Sequence, residues 1–360
     1  MDCPGGADYK SAISRTPNLL DARRIQIGFV YASSPDIKRN SNMTPGLKHN
    51  TDLTEKLVAE LKVMSRYPKV TDQLPCLAIE PGRLVKHGYN PSIIQEDDHL
   101  LMAYRYHDGN TLSTKLALAQ IGFDGKVLSN RSIVTDPEFS AEDPKLFRNV
   151  NDIWMLWVES TWPKLPLKAI VRWSMMQDGK LVGQSFTAAR DNPKSIEKNW
   201  IPFPTPGGVY FFYSLFPHQE ICAAENGKLR ISWTYRGLDW PWGTPRGGTV
   251  PLPFKGKLLR FFHAGADNEY GTFRRRYFVG AMLHEPEPPY APVAISTSPV
   301  LYGSEIDDTP QEQWANCHHR KGQVVFPGGA VEHKGGWLLS VGVNDYSCAI
   351  VKVKPEDLHL

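Results

Sequence analysis

The sequence lacks several features that would indicate a membrane, a disulfide framework or a nucleic-acid partner. It has no apolar run as long as the roughly 18 to 20 residues of a membrane span. Its first residues do not join a basic segment to an apolar stretch, so no secretory signal is evident and we expect a cytoplasmic protein. The 5 cysteines are scattered and odd in number, which favours reduced thiols. A net charge of +3 is too small to indicate binding to nucleic acid or to a membrane surface.

What the chain does contain is an internal repeat of five units. The heads of the units are Asn90, Asp143, Asn199, Gly248 and Gly328. Ten residues after each head an apolar strand is predicted to begin, at Leu100, Ile153, Val209, Leu258 and Leu338. Turn residues lie between each head and its strand, so each unit is predicted to be an antiparallel hairpin.

Self-similar β units that recur at about 50 residues are typical of a β-propeller, in which each blade is a small sheet beside a central channel. We therefore predict an all-β chain, a five-bladed β-propeller over residues 81–360. Residues 1–80 stand outside the repeat and are predicted to form a short α/β extension, with a strand at 24–31 and a helix at 51–64. This extension would close or flank the propeller and offers a surface for a homo-oligomer.

Other strands and one insertion complete the predicted blades. We assign the strands near 116–121, 170–174 and 229–233 to the blades of the heads that follow them. The insertion at 285–321 is assigned to the fifth blade, where it would serve as a lid over the channel.

The repeat also predicts where polar groups meet. A strand that leaves the head and a partner that returns antiparallel bring residues about fifteen positions after the head back to the same end of the channel. The side chains expected there are Asn90, Arg105, Glu142, Asp143, Glu159, Lys198, Asn199, His218, Arg246, His263 and Asp345.

Asp143 is the predicted catalytic residue. Cleavage of a glycosidic bond needs a proton donor whose pKa can be raised, and Asp143 heads an innermost strand. Pro144 is expected to hold it in an extended conformation that points into the channel. The alternative role is a turn carboxylate that caps backbone amides. Glu142, as the adjacent residue of a strand, is expected to point the other way and to be structural.

Two cationic side chains are predicted at the same end of the channel. Arg105 and Lys198 are suited to hold a phosphate, a sugar phosphate or a carboxylate. The alternative is a structural ion pair with Asp143 or Asp345.

Histidine and tryptophan side chains supply further candidates. His218 and His263 are candidates to contact hydroxyls or phosphate, with a structural donor role as the alternative. Three tryptophans are candidates for stacking on sugar rings. They are Trp200, Trp240 and Trp242, of which Trp200 fits a core position best.

No metal site is predicted, because the pair His318 and His319 beside Cys317 has no second ligand cluster at a suitable spacing. No cofactor is expected other than inorganic phosphate as a co-substrate.

The heads in register resemble a known family. The motifs are Asn90-Pro91 with Arg105, Glu142-Asp143-Pro144-Lys145, Lys198-Asn199, Gly247-Gly248-Thr249 and the closing Phe326-Pro-Gly-Gly-Ala with Gly342-Val-Asn-Asp345. They are similar to glycoside hydrolase family 130, which are five-bladed mannoside phosphorylases and hydrolases, and to the related glycosyltransferase family 108. The resemblance spans residues 82–353.

The resemblance implies specific roles. Asp143 would be the general acid of an inverting reaction, Asn90 and Asp345 would bind the sugar in the glycone subsite, and Arg105 and Lys198 would bind phosphate. One departure is Lys145, which stands where the family's phosphorylases usually carry an arginine, and the segment 159–168 has no arginine. The candidates to replace these arginines are Arg148, Arg172, Arg236 and Arg246.

Three functions remain open on the sequence. The first is phosphorolysis, or its reversal, acting on β-mannosides or related oligosaccharides and sugar phosphates. The second is an inverting hydrolase or a sugar-nucleotide-dependent transferase on the same scaffold, with Glu159, Asp239 or Asp267 as the base of a hydrolase. The third is a carbohydrate-binding propeller without catalysis.

Overall fold

A computed structural model describes residues 77–79, 88–107, 113–191, 193–266, 276–302, 324–345 and 347–360. These residues belong to one compact unit, which comprises 68–268 and 273–360. The strand and helix predicted at 24–31 and 51–64 lie outside the described residues, as do Cys317, His318 and His319. In the described part of the chain no helix is long and apolar enough to cross a membrane.

The described residues form five antiparallel sheets arranged as a five-bladed β-propeller, which confirms the predicted fold class. Blade 1 contains β2 (Gly88–Gln95), β3 (His99–His107), β4 (Thr114–Gly122) and β5 (Val127–Ile133). Blade 2 contains β6 (Ser140–Asn149), β7 (Asp152–Ser160), β8 (Ala169–Gln177) and β9 (Lys180–Phe186). Blade 3 contains β10 (Ile201–Thr205), β11 (Gly208–Ser214), β12 (His218–Glu225) and β13 (Lys228–Arg236).

Blades 4 and 5 complete the ring. Blade 4 contains β14 (Thr244–Arg246), β15 (Leu252–Phe254), β16 (Lys257–Ala266), β17 (Arg276–His284), β18 (Pro292–Ile295) and β19 (Leu301–Tyr302). Blade 5 contains β20 (Val325–His333), β21 (Gly336–Val343), β22 (Ser347–Val353) and β1 (Leu77–Ile79), and a 3₁₀ helix follows at Pro355–Leu358. The five predicted hairpins are β2–β3, β6–β7, β10–β11, β15–β16 and β20–β21.

Two assignments of strands to blades were wrong. Strands β4, β8 and β13 pair with β3, β7 and β12, so each belongs to the blade of the head that precedes it. The first part of the predicted insertion is not a lid on blade 5, because β18 and β19 both pair with β17 in blade 4. Residues 303–321 of that insertion lie outside the described residues. In both cases the chain completes one sheet before it starts the next head.

The ring closes through strands from the two ends of the repeat. Strand β1, which lies within the predicted extension, pairs antiparallel with β22 as the outermost strand of blade 5. A separate hydrophobic cluster fills each of the five junctions between neighbouring blades. In the junction of blades 5 and 1, Leu338 and Ile350 pack with Leu100 and Met102. Burial of these faces is the main stabilising term for such a ring.

Candidate active site

One end of the channel contains a cleft of about 360 Å³. It is lined by Tyr89, Asn90, Arg105, Thr114, Glu142, Asp143, Trp162, Leu167, Lys198, Asn199, Arg246, His263, Tyr277, Val324, Phe326 and Asp345. Of the sequence-predicted site residues, Asn90, Arg105, Asp143, Lys198, Asn199, Arg246, His263 and Asp345 therefore lie together. His218 does not belong to this lining and is exposed at the start of β12.

β-Bulges at two of the heads turn the side chains of Asn90 and Asp143 into the cleft. The register of β2 against β3 shifts between Tyr89 and Ser92, and that of β6 against β7 shifts between Glu142 and Lys145. Asn90 and Asp143 have φ values of 50° and 49°, in the left-handed region that asparagine and aspartate tolerate best after glycine. The extended conformation predicted for Asp143 is therefore wrong, because the bulge outweighs the restriction imposed by Pro144.

The bulge also changes the direction of Glu142. An unbroken strand would place Glu142 and Asp143 on opposite faces, yet both line the cleft. The Glu142 carboxylate accepts hydrogen bonds from Ser160 Oγ at 2.7 Å and from Arg105 Nη1 at 3.0 Å. Glu142 therefore lies in the cleft with the other polar residues that the repeat placed there, and the opposite direction expected from strand alternation is wrong.

Three carboxylates surround the guanidinium of Arg105. Besides Glu142, Arg105 Nη1 lies 3.4 Å from Asp143 Oδ1, and Arg105 Nη2 lies 3.6 Å from Asp345 Oδ1. The Arg105 guanidinium also lies over the Tyr89 ring, 4.3 Å from its centroid. The ion pairs considered as an alternative for Arg105 are therefore formed.

The immediate contacts of Asp143 favour its ionised form. Asn90 Nδ2 donates a hydrogen bond to Asp143 Oδ1 at 2.8 Å. Burial raises the pKa of Asp143, but Arg105, the Asn90 hydrogen bond, Lys198 and Lys145 together lower that pKa below its usual value. Asp143 is therefore a carboxylate at neutral pH, and the raised pKa predicted for it from the sequence is wrong.

Two cations in the cleft remain available. Lys198 and Arg246 line the cleft with exposed side chains. Neither the Lys198 nor the Arg246 side chain forms an ion pair or a hydrogen bond with any residue that the structure describes. Because Arg105 is matched by carboxylates and these two are not, an anion in this cleft would find its counter-charge at Lys198 and Arg246.

His263 contributes a neutral, buried imidazole to the cleft. The side chain is 3% exposed, and burial lowers the pKa of His263 to about 3. Its ring packs on Tyr277 and Phe326, with centroid distances of 5.9 and 4.6 Å. No described residue gives its Nδ1 a hydrogen-bond partner. A neutral imidazole suits a hydroxyl better than a phosphate.

Lys145 lies behind the cleft and does not line it. Its side chain is 2% exposed, and its Nζ donates to the carbonyl oxygens of Pro327 and Gly328 at 3.2 and 3.3 Å. The ammonium also lies 4.8 Å from the centroid of the Phe326 ring. Burial lowers the pKa of Lys145 to about 7, although Asp143 acts in the opposite direction. The lysine at the family's arginine position therefore joins blade 2 to blade 5.

The carboxylates considered as hydrolytic bases lie elsewhere. Glu159 is buried and accepts from Arg172 Nε at 2.9 Å, and Asp239 is exposed beside Arg236 at 3.7 Å. Neither lines the cleft, and Asp267 lies outside the described residues. Of the arginines proposed as replacements, Arg148 pairs with Glu96, and Arg246 is the one that lines the cleft.

The aromatic residues of the cleft differ from those predicted. Trp200 is buried between blades 2 and 3, as its core alternative required. Trp240 and Trp242 donate to the carbonyls of Ser296 and Thr297 and do not line the cleft. The aromatic rings that do are Tyr89, Trp162, Tyr277 and Phe326. Tyr89 and Phe326 adjoin heads and were accessible to sequence reasoning, whereas Trp162 and Tyr277 carry no repeat signal.

In the part of the chain that the structure describes, no group of three His, Cys, Asp or Glu side chains is placed to hold a metal ion.

Comparisons with known proteins give structural neighbours only. No protein-family model and no curated protein sequence matches the chain. A GDP-Man-dependent mannosyltransferase from Leishmania mexicana is similar in structure, with a TM-score of 0.59 and 14% identity over 83% of this chain and 94% of that one. A β-1,2-mannobiose phosphorylase from Listeria innocua has a TM-score of 0.52 and 14% identity over 79% of this chain and 98% of that one. The resemblance found in the motifs is thus confirmed at the level of the fold, which this chain shares with both enzymes.

Proposed function

We propose that the protein is a carbohydrate-active enzyme that cleaves or forms β-mannosides or related glycosides by inverting phosphorolysis. The strongest support for this function is that Asp143 shares its cleft with Lys198 and Arg246. Neither cation forms an ion pair with a described carboxylate. A proton donor beside an anion site is what phosphorolysis requires.

In this reaction a phosphate oxygen attacks the anomeric carbon while the bond from that carbon to the glycosidic oxygen breaks. Asp143 delivers the proton that the leaving oxygen needs, directly or through a sugar hydroxyl. Lys198 and Arg246 hold the phosphate on the other face of the ring. Attack opposite to the leaving group inverts the configuration, so a β-mannoside yields α-mannose 1-phosphate.

The remaining lining residues bind the sugar. Asn90 and Asp345 flank Asp143 and Arg105 and are suited to accept and donate hydrogen bonds with hydroxyls. His263 serves as a neutral hydroxyl partner, Asn199 adds an amide, and Trp162 and Tyr277 supply rings for stacking. We assign Arg105 to ordering the three carboxylates around it, and not to binding phosphate.

The hydrolytic alternative is less well supported. Glu159 and Asp239, considered as bases, do not line the cleft, and the carboxylates that do line it with Asp143 are both engaged by Arg105. A transferase that uses a sugar nucleotide would employ the same two cations on a diphosphate, so the two donors need to be compared in one experiment.

The test is to incubate the protein with mannose 1-phosphate and a panel of acceptor sugars and to measure release of inorganic phosphate. Parallel reactions contain GDP-mannose, and the same reactions are run with Asp143→Asn. Acceptor-dependent release from mannose 1-phosphate alone supports the proposal. Turnover of GDP-mannose alone would replace it with sugar-nucleotide transfer, and retained sugar binding without turnover of either donor would replace it with a binding role.

A further inference from the structure

The surroundings of Asp143 favour its carboxylate form over the protonated form that a general acid needs. A general acid must hold a proton before it can donate one. In the cleft without a ligand, Asp143 accepts from Asn90 at 2.8 Å and lies 3.4 Å from Arg105, and Lys198 and Lys145 add positive charge around it. Burial favours the neutral acid, but these contacts all stabilise the carboxylate and together outweigh the effect of burial.

Binding of an anion in the cleft would change this balance. The charge of Arg105 is already matched by Glu142 and Asp345, so it remains matched when a ligand enters. Lys198 is one of the cations that act on Asp143, but it forms no ion pair with a described residue. An oxyanion on Lys198 and Arg246 would neutralise that cation and place new negative charge near Asp143, and like charges favour protonation of the weaker acid.

We propose that binding of an oxyanion by Lys198 and Arg246 causes the Asp143 carboxylate to take up a proton from solvent. Binding of the nucleophile would thus protonate the general acid. The proton comes from solvent and resides on an Asp143 oxygen, and no other bond forms or breaks in this step. The inference rests on the proposed function, because it uses the same anion site. It adds that binding of phosphate and protonation of Asp143 are linked equilibria.

Other titratable groups near Asp143 must be separated from it. Lys145 lies behind Asp143 on β6, Glu142 is next to it, His263 and Arg260 are on β16, and Asp345 lies across Arg105. With pKa values of about 7 for Lys145 and about 3 for His263, the first is charged and the second neutral at about pH 5.5. Sulfate on Lys198 and Arg246 would also raise the pKa of His263, because both cations contribute to lowering it, so substitutions are needed to assign the proton.

The experiment is calorimetric titration of the full chain with sulfate at about pH 5.5, in two buffers that differ in ionisation enthalpy. Sulfate is chosen because it does not titrate in this range, whereas phosphate does. We expect wild-type protein to take up as much as about one proton per sulfate, and sulfate affinity to rise by up to about tenfold for each unit of pH lowered.

Variants assign the proton. Asp143→Asn should bind sulfate at least as tightly and take up no proton, and Asp345→Asn should keep the uptake. Lys198→Met should weaken sulfate binding by about tenfold. Three results would each overturn the inference. They are sulfate binding by the wild type without proton uptake, proton uptake that persists in Asp143→Asn, and the absence of sulfate binding to the wild type. Uptake by the wild type without turnover of mannose 1-phosphate would instead leave the linkage intact and overturn the proposed function.

Discussion

Asn90 Nδ2 and Asp143 Oδ1 lie 2.8 Å apart and join the innermost strands of blades 1 and 2. Both residues precede a proline, both have a left-handed φ, and both sit at a β-bulge. The same local device is thus used twice to bring the side chains of two heads together. The orientation of Asp143 depends on this pair and on the space that surrounds it.

Gly342 supplies that space. A Cβ atom at this position would collide with Asn90 Oδ1 and with the Asn90 backbone. We therefore expect Gly342→Ala to displace Asn90, to weaken its hydrogen bond to Asp143 and to reduce kcat/KM by about tenfold or more. Activity and thermal unfolding would be measured on the same preparation. Gly207→Ala is the matched control, since its Cβ would meet Thr205 Oγ1 only at 3.7 Å. Equal effects of the two changes would refute this role of Gly342.

Lys198 and Arg246 are predicted to act on the anionic substrate. Loss of one charge-assisted contact costs about 1.5–3 kcal/mol, and because both side chains are exposed we expect the lower end of that range. Lys198→Met and Arg246→Met should each raise KM for phosphate or mannose 1-phosphate by about tenfold. Lys228→Met is the control, because Lys228 is exposed beside Asp191 and outside the cleft. An unchanged KM in both cleft variants would contradict the assignment.

Lys145 is predicted to make stability depend on pH near neutrality. Its pKa of about 7 in the folded state lies below the value of roughly 10.4 for a free lysine. The unfolded state therefore binds more protons between these values, and the free energy of unfolding should rise with pH above about 7, by up to about 1.4 kcal/mol per pH unit. Below about pH 7 Lys145 is charged in both states and adds no slope.

Denaturant unfolding at several pH values between about 7 and 8.5 measures this slope, in a range below the lowered pKa of about 9 for Arg260. Lys145→Met should remove the contribution of Lys145 to the slope, whatever its effect on stability at one pH. The same slope in Lys145→Met and in the wild type would show that Lys145 is not the titrating group. Lys228→Met again serves as the exposed control.

His218 is predicted to be dispensable for catalysis. The repeat placed it with the other heads, but it is exposed at the start of β12 and does not line the cleft. We expect His218→Ala to keep kcat/KM within about twofold of the wild-type value, because exposed changes of this kind have small effects. A matched His263→Ala variant should lose activity. Comparable losses in both would restore His218 to the site.

The fold followed from the sequence because its signals are local. Each hairpin is marked in the sequence by an apolar strand, a turn and a polar head. The strands begin within two residues of the predicted positions. The pairing of β1 with β22 had no local signal, since its two strands lie at opposite ends of the repeat. The same is true of β18 and β19, whose sheet is decided by the partner β17.

The site followed in part, for the same reason. Heads and returning strands placed Asn90, Arg105, Asp143, His263 and Asp345 at one end of the channel, as found. The direction of Glu142 was wrong because strand alternation fails at a bulge, which no residue pattern marked. The pKa of Asp143 was expected to be raised and is lowered, because Arg105, the Asn90 hydrogen bond, Lys198 and Lys145 together outweigh the effect of burial. Trp162 and Tyr277 reach the cleft through tertiary packing alone.

The most direct test of phosphorolysis is acceptor-dependent release of inorganic phosphate from mannose 1-phosphate, measured side by side for the wild type and Asp143→Asn. A general acid contributes about 10²–10⁴-fold, so we expect the variant to lose that factor in kcat while it retains a folded, sugar-binding propeller. Phosphate release that is equal in the two proteins, or that is absent from the wild type with every acceptor, would contradict the role of Asp143 and the proposed reaction.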